Sequence, residues 1–439
     1  MNAPAEPRAN GAQDTPPSSP AVLAAVGRLW RGNHAWFLIA AALLLFCTNT
    51  LFNVPLWIMA AIGIGRIAVS PRRVVHDSSM ALLGVLFLCI WVPQLLALPD
   101  AVNLARALEI VLPYIHFYFA GVFMVQALRD PACYRRTLWA VFAIMTFWCA
   151  DALLQFLAGK DLFGYPYRPG QLNGVFHPKL RLGHLLAVLA PIYLHAIHRV
   201  SRGSAWPWLL GALMIGVILL SGKRAAWVMA AVSCGGFALY FHLSQRAISW
   251  RRAALGAALG VLAIALVLAF NPPLEKRANV TLGLFSGELE QTDRAMAHRL
   301  PIWRTAWTMI RQNWINGVGP RGFRFAFRDY AETDNFYLQH GRAGQTHPHQ
   351  MLLEVAAETG MIGVLGLALF WAALIRIAWR AIRDRPSCAP WFIAAGAAWL
   401  PLNAHLAFYG SYWSSIAWWI LPAALGISGL AADEQSPDH

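Results

Sequence analysis

Charge is what this chain has least of. Of its 439 residues only 13% are Asp, Glu, Lys or Arg while 58% are hydrophobic, and soluble domains carry roughly a quarter charged residues. That shortage excludes an ordinary water-soluble globule. Cysteine is sparse and scattered. Cys47, Cys89, Cys133, Cys149, Cys234 and Cys388 show no paired spacing, so neither a disulfide framework nor a thiolate metal site follows. HExxH, paired acidic and Gly-rich phosphate-loop motifs are all missing, so neither a metal nor a nucleotide cofactor is expected. The opening stretch MNAPAEPRANGAQDTPPSSP lacks the apolar centre of a signal peptide and reads as a disordered cytoplasmic tail over 1–22.

What is present is apolar sequence, in runs long enough to cross a hydrocarbon layer of about 30 Å. AWFLIAAALLLFCTNTLF from Ala35 and LGAALGVLAIALVLAF from Leu255 are examples. The runs lie near 35–52, 54–70, 78–98, 104–128, 137–158, 180–198, 205–221, 224–245, 252–270, 349–378, 389–408 and 411–431, about twelve spans in all. They are continuously apolar, not alternating, which predicts an all-α integral membrane bundle in place of a barrel. Nine spans fill 23–270, a large loop fills 271–348, three more fill 349–431, and 432–439 form a short tail.

The formal net charge of +14 reports topology before it reports a nucleic-acid partner, which is not expected. With the N-terminus inside, eighteen of the 35 Lys and Arg fall in cytoplasmic segments and seven in short outer loops, namely Arg106, Lys160, Arg168, Lys179, Arg181, Lys223 and Arg224. The remaining ten lie between 271 and 346, a loop long enough to escape the rule. Both termini are therefore predicted inside and the large loop outside, with inner-membrane lipid surrounding the spans.

Ionisable groups at the edges of apolar spans are costly, and three outer clusters carry them. Lys223 and Arg224 sit between two spans with almost no loop. A snorkelling pair would explain them, but the outer side disfavours cations. His177, Lys179, Arg181 and His184 crowd the entry of another span, where a headgroup anchor accounts for the cations and packing for His184. In THPHQMLLEVAAETGMIG, Thr346 is expected to cap a helix starting at Pro348, with Glu354 and Glu358 on one face. A helix N-terminus keeps an imidazole neutral and able to take a proton near neutral pH, which makes His347 and His349 candidates for a base. Between these clusters, Trp303, Trp307, Ile310 and Trp314 are spaced for one face of an interfacial helix closed by Gly317 and Gly319, with Arg299 just before it. A neutral base among arginines suits an anionic, lipid-linked substrate, because guanidinium forks grip phosphate oxygens and can neutralise a diphosphate leaving group without a metal.

Three blocks then resemble the O-antigen ligase and polymerase superfamily. LSGKRAAWV is similar to its Ser-Arg-Gly signature, HRLPIWRTAWTMI followed by NGVGPRGF to its Arg-x-x-x-Trp and Gly-x-Gly-x-x-x-Phe block, and HPHQMLLEVAAETGMIG to its His-Asn-x-x-Leu and Glu-x-Gly-x-x-Gly block. Lys223-Arg224-Ala225 replaces Ser-Arg-Gly, and Gln350 follows the histidine where Asn, Ser, His or Pro is usual. Gly360 and Gly363 fall at the family distance from His349, which favours His349 over His347.

The resemblance implies a GT-C-like helical glycosyltransferase of the bacterial inner membrane. It would transfer polysaccharide from undecaprenyl diphosphate to a lipid A-core hydroxyl on the periplasmic face. His349 would be the base, Arg224, Arg299 and Lys223 would hold the diphosphate, and His347, Arg181, Arg294 and Arg321 would be possible substrate contacts. A polymerase and a protein O-oligosaccharyltransferase are the related alternatives. A lipid-linked sugar transporter is the alternative of another class, and it would call for repeated halves that the sequence lacks.

Overall fold

The computed structural model describes residues 34–202, 204, 206–245, 279–280, 291, 293, 296–339, 342–401 and 406–429. The expected span at 252–270, both tails and Arg294 lie outside these residues. Among the described residues the chain is helical, with only the isolated bridges Lys160 to Pro166 and Arg168 to Gln171. The helices are α1 (Ala35–Leu45), α2 (Asn53–Val69), α3 (Pro71–Val75), α4 (Ser78–Leu96), α5 (Leu104–Val111), α6 (His116–Ala127), α7 (Pro131–Ala158), α8 (Leu182–Ser201), α9 (Trp208–Leu220) and α10 (Arg224–Gln245). After the large loop begins come α11 (Leu300–Gln312), α12 (Phe323–Tyr330), α13 (Met351–Asp384), α14 (Ala389–Ala398) and α15 (Ser411–Ser428).

Among the described residues five segments are long and apolar enough to cross a membrane: Ser78–Leu96, Leu104–Ala127, Pro131–Ala158, Arg224–Ser244 and Met351–Asp384. Two expected spans are shorter than their apolar runs. The run at 35–52 is helical only to Leu45, after which Thr48 turns back to donate its hydroxyl to Leu45 O at 2.7 Å. In the run at 389–408 the helix that starts at Ala389 stops at Ala398, with Pro401 just beyond. The outward face of α13 carries Met361, Leu365, Leu369, Ile375 and Trp379, the last 74% exposed. A face so apolar fits lipid, not water.

The interior is built on tryptophan. Trp148, Trp391, Trp399, Trp413, Trp418 and Trp419 are all fully buried. A buried indole N–H needs an acceptor. Trp418 Nε1 donates to Tyr114 Oη at 2.8 Å and Trp419 Nε1 to Ile39 O at 3.0 Å, tying α15 to the 3-10 turn before α6 and to α1.

The two ends of the bundle differ. At one end Arg66 donates to Gln126 Oε1 at 3.0 Å, Arg385 donates to Ile427 O at 3.4 Å, and Arg129 grips Asp77, with Nη2 2.6 Å from Oδ1. The opposite end holds the start of α8, the turn into α10, the large-loop helices and the start of α13.

Asp77 also caps α4, accepting from Ser79 N at 3.0 Å and Met80 N at 3.2 Å. Burial works to raise its pKa, but the Arg129 hydrogen bond and the two amides outweigh it and leave the carboxyl below its ordinary value. A depressed folded-state pKa contributes stability above the ordinary carboxyl range and loses it as pH falls through the lowered value. Asp77→Asn keeps a cap acceptor but loses the charge that Arg129 pairs with, so it is expected to melt lower than wild type in detergent at neutral pH, by about 1 kcal/mol. The gap should close in acid, and an equal gap at every pH would refute the assignment.

Candidate active site

The turn between α9 and α10 is only Ser221, Gly222 and Lys223, with Arg224 opening the next helix. Ser221 Oγ donates back to Ile218 O at 2.6 Å, and Trp227 Nε1 reaches Ile218 O and Leu219 O at 3.2 Å. The turn is clamped from inside, and its two cations are presented by backbone that has little freedom. The start of α8 packs directly on it. A Cβ at Gly183 would lie 2.2 Å from Ser221 Oγ, so only glycine allows that approach. His184, the next residue, is buried within electrostatic reach of Lys223 and Arg299.

Arg299 is the N-cap residue of α11. Burial first, and the Arg224 charge second, press its guanidinium pKa below the usual value, and the Tyr337 hydroxyl counteracts them. Arginine remains charged through such a shift. Arg224 and Arg299, some seventy residues apart in sequence, thus belong to one positive field. Lys223 joins it, since it and Arg299 both act on the buried His184.

The buried face of α11 is Ile302, Thr305, Ala306 and Met309, which is helical spacing. It packs with Val318, Phe323, Ala326, Phe327 and Ala357. The expected tryptophan face is therefore corrected. Trp303 and Ile310 pack against this small core, Trp307 points outward, and Trp314 lies past the end of the helix. Asn313 closes the helix, not Gly317 or Gly319, because its side chain is held by Met309 O at 3.2 Å and Tyr330 Oη at 2.9 Å.

One turn beyond Arg299, Trp303 Nε1 donates to Pro348 O at 3.0 Å. That carbonyl lies between the two histidines. Their rings are 3.9 Å apart, centroid to centroid, at 47°. His347 is buried and its Nδ1 lies 3.0 Å from Thr346 Oγ1, whereas His349 is half-buried and has φ +55°. Thr346 is not the helix cap. The cap of α13 is Gln350, whose Oε1 accepts from Leu353 N at 2.5 Å while its Nε2 donates to Pro401 O at 3.0 Å. The positive φ of His349 forbids helix there, so α13 starts at Met351 and not at Pro348. His349 stands immediately outside the capped turn.

Glu354 and Glu358 do share a face of α13, and both are fully buried. Arg321 answers them. Its backbone N–H donates to Glu358 Oε2 at 2.7 Å, and its Nη1 lies 3.7 Å from Glu354 Oε1. At 7% exposure Arg321 is an interior residue. Arg181 also turns from the turn cations, its guanidinium 3.7 Å from the Tyr412 ring centroid and its Nη1 3.4 Å from Thr48 O. His177 stacks on Tyr165 at 4.7 Å, and Lys179 is exposed.

Sequence reasoning gave Trp303 an interfacial place and did not foresee its bond to Pro348 O, and it passed over Tyr337, which nothing local marks. Among the described residues no three His, Cys, Asp or Glu side chains gather as a metal-binding group.

Residues 209–370 match the family model described as O-Antigen ligase. This segment is an O-antigen ligase family domain. It contains Lys223, Arg224, Arg299, both histidines and the buried acidic pair, and leaves out Arg181 and His184. Members of the O-antigen ligase family are glycosyltransferase-like enzymes acting on O-antigen, and the apolar helices agree with a multi-pass membrane protein. No curated protein matches the chain.

Proposed function

We propose that the chain is an O-antigen ligase of the bacterial inner membrane. Its site faces the periplasm and transfers polysaccharide from undecaprenyl diphosphate to a sugar hydroxyl of lipid A-core. The observation that carries this reading is the Trp303 to Pro348 hydrogen bond, which brings the Arg299 end of α11 beside the His349 turn inside the family domain. The distribution of cations along the sequence supports the orientation.

In this reading His349 takes the proton of the acceptor hydroxyl as the oxygen attacks the anomeric carbon of the donor. The bond from that carbon to the phosphate oxygen breaks on the opposite side, and the electron pair leaves with the diphosphate. Arg224 and Arg299, with Lys223, stabilise the charge that gathers there. One displacement inverts the anomeric centre. No metal is required, because guanidinium groups supply the positive charge.

The test is complementation of a strain lacking its own ligase, scored as capped lipopolysaccharide on gels beside the level of the protein in membranes. Restored capping supports ligation. Uncapped core together with accumulating or lengthening lipid-linked polymer would reject it in favour of a polymerase.

A further inference from the structure

The buried charged cluster beneath the histidines takes no part in the reaction above, yet it joins three segments. Glu354 accepts Phe408 N at 3.0 Å and Tyr409 N at 3.3 Å, which fastens the outer turn of α13 to the segment entering α15. Arg321 adds the loop after α11 by its contacts to both carboxylates. The same loop is sewn to α13 at Val318 N, which donates to Ala357 O at 2.9 Å, and at Met361 N, which donates to Trp314 O at 2.8 Å. Helix α11 is thereby fixed at both ends, near Trp303 by Pro348 O and beyond its C-terminus by this cluster.

Arg321 has φ +59°. Glycine suits that backbone, and a long side chain there costs free energy that persists only where the surroundings hold it. A guanidinium retained at that cost, buried and 3.7 Å from the Glu354 carboxylate, is there for that carboxylate, while the same residue's backbone N–H serves Glu358. Glu354 lies about one helical turn from the Gln350 cap, so whatever moves Glu354 moves the residue just outside that cap.

We propose that Arg321, Glu354 and Glu358 are positioning residues that hold the His349 turn and the Arg299 helix in one fixed relation. They touch neither donor nor acceptor and act only through His349 and Arg299. The activity readout rests on the ligase reading, and a second readout does not.

The variants are Glu354→Gln, which keeps size and removes the charge, and Arg321→Gly, which keeps the N–H to Glu358 and suits the backbone while deleting the guanidinium. Each is studied as the full chain in membranes. Expected is a fall in kcat of about 100-fold with KM for the lipid-linked donor within about threefold of wild type, as misplacement of a base predicts. In a His349→Ala background, Glu354→Gln should cost well under its roughly 100-fold in wild type, since the part that runs through His349 is already lost.

Independently, diethylpyrocarbonate modification of His349, followed by peptide mass spectrometry against His177 as internal standard, should change by about threefold or more in both variants. Wild-type kcat with unchanged His349 reactivity overturns the proposal, and so does a full additional loss in the His349→Ala background. If the wild type ligates nothing, the ligase reading fails and the modification rates alone decide: a shift upholds the positioning role and no shift refutes it. If Glu354→Gln does not accumulate, Arg321→Gly carries the same comparisons.

Discussion

His349→Ala is expected to lower ligation by about a hundred- to ten-thousand-fold, the range a positioned general base supplies, while folded protein in the membrane stays near the wild-type amount. The residue is half-buried, stands outside the α13 cap, and is not among the side chains of either hydrophobic core. Alanine removes chemistry more than packing. Its structural costs include the ring contact with His347 and the φ of +55°, the latter of which Asn tolerates better. His349→Asn is thus the control: it should be as inactive as Ala and as abundant as wild type. His347→Ala should do less to the rate and more to stability, because His347 is buried and bonded to Thr346. Capping retained above about a tenth of wild type in His349→Ala would remove His349 from the base role. Activity lost in the His347 variant alone would move that role to His347.

Gly360→Ala should be severely damaging to folding. Gly360 has φ +61° and ψ −160°, a conformation that interrupts α13 and that only glycine adopts readily. A Cβ there would lie 2.0 Å from Ile315 O. The interruption frees two amides, and the loop takes them: Met361 N donates to Trp314 O at 2.8 Å and Ile362 N to Ile315 O at 3.4 Å. Backbone strain and overpacking each cost about 1–3 kcal/mol, so the variant should lose roughly 2–6 kcal/mol. That is enough to empty the folded state of a marginal protein. The readout is the amount of monodisperse protein after detergent extraction, and its melting temperature. A variant extracted and melting like wild type would show that the interruption is not needed.

Much of this was legible in the sequence, and the misses share a cause. Continuous apolar runs announced a helical membrane protein, and the four-residue spacing of Glu354 and Glu358 put them on one face. Run length did not reveal where α1 and α14 stop, since Thr48 and Pro401 end those helices inside stretches that remain apolar. Thr346 is the better cap by type, but Gln350 won because the Pro401 carbonyl holds its amide in place. The tryptophan spacing was real, yet Ile302, Thr305, Ala306 and Met309 keep the same period one step round the helix, and they are the side chains fully buried against α12 and α13 while Trp307 faces outward. The bonds from Trp303 to Pro348 and from Arg321 to Glu358 join residues 45 and 37 positions apart, which no local pattern encodes.

The interruption at Gly360 divides α13 into two mechanical parts. Residues 351–359 are bonded to Pro401, Phe408, Tyr409, Arg321 and Val318, whereas the turns after it lie along α4 and face outward. The unit that would open and close as a block is therefore not a loop hinged on a helix. It is the loop together with the first two turns of that helix, so local unfolding would breach the site as a whole while the rest of the rod stayed intact.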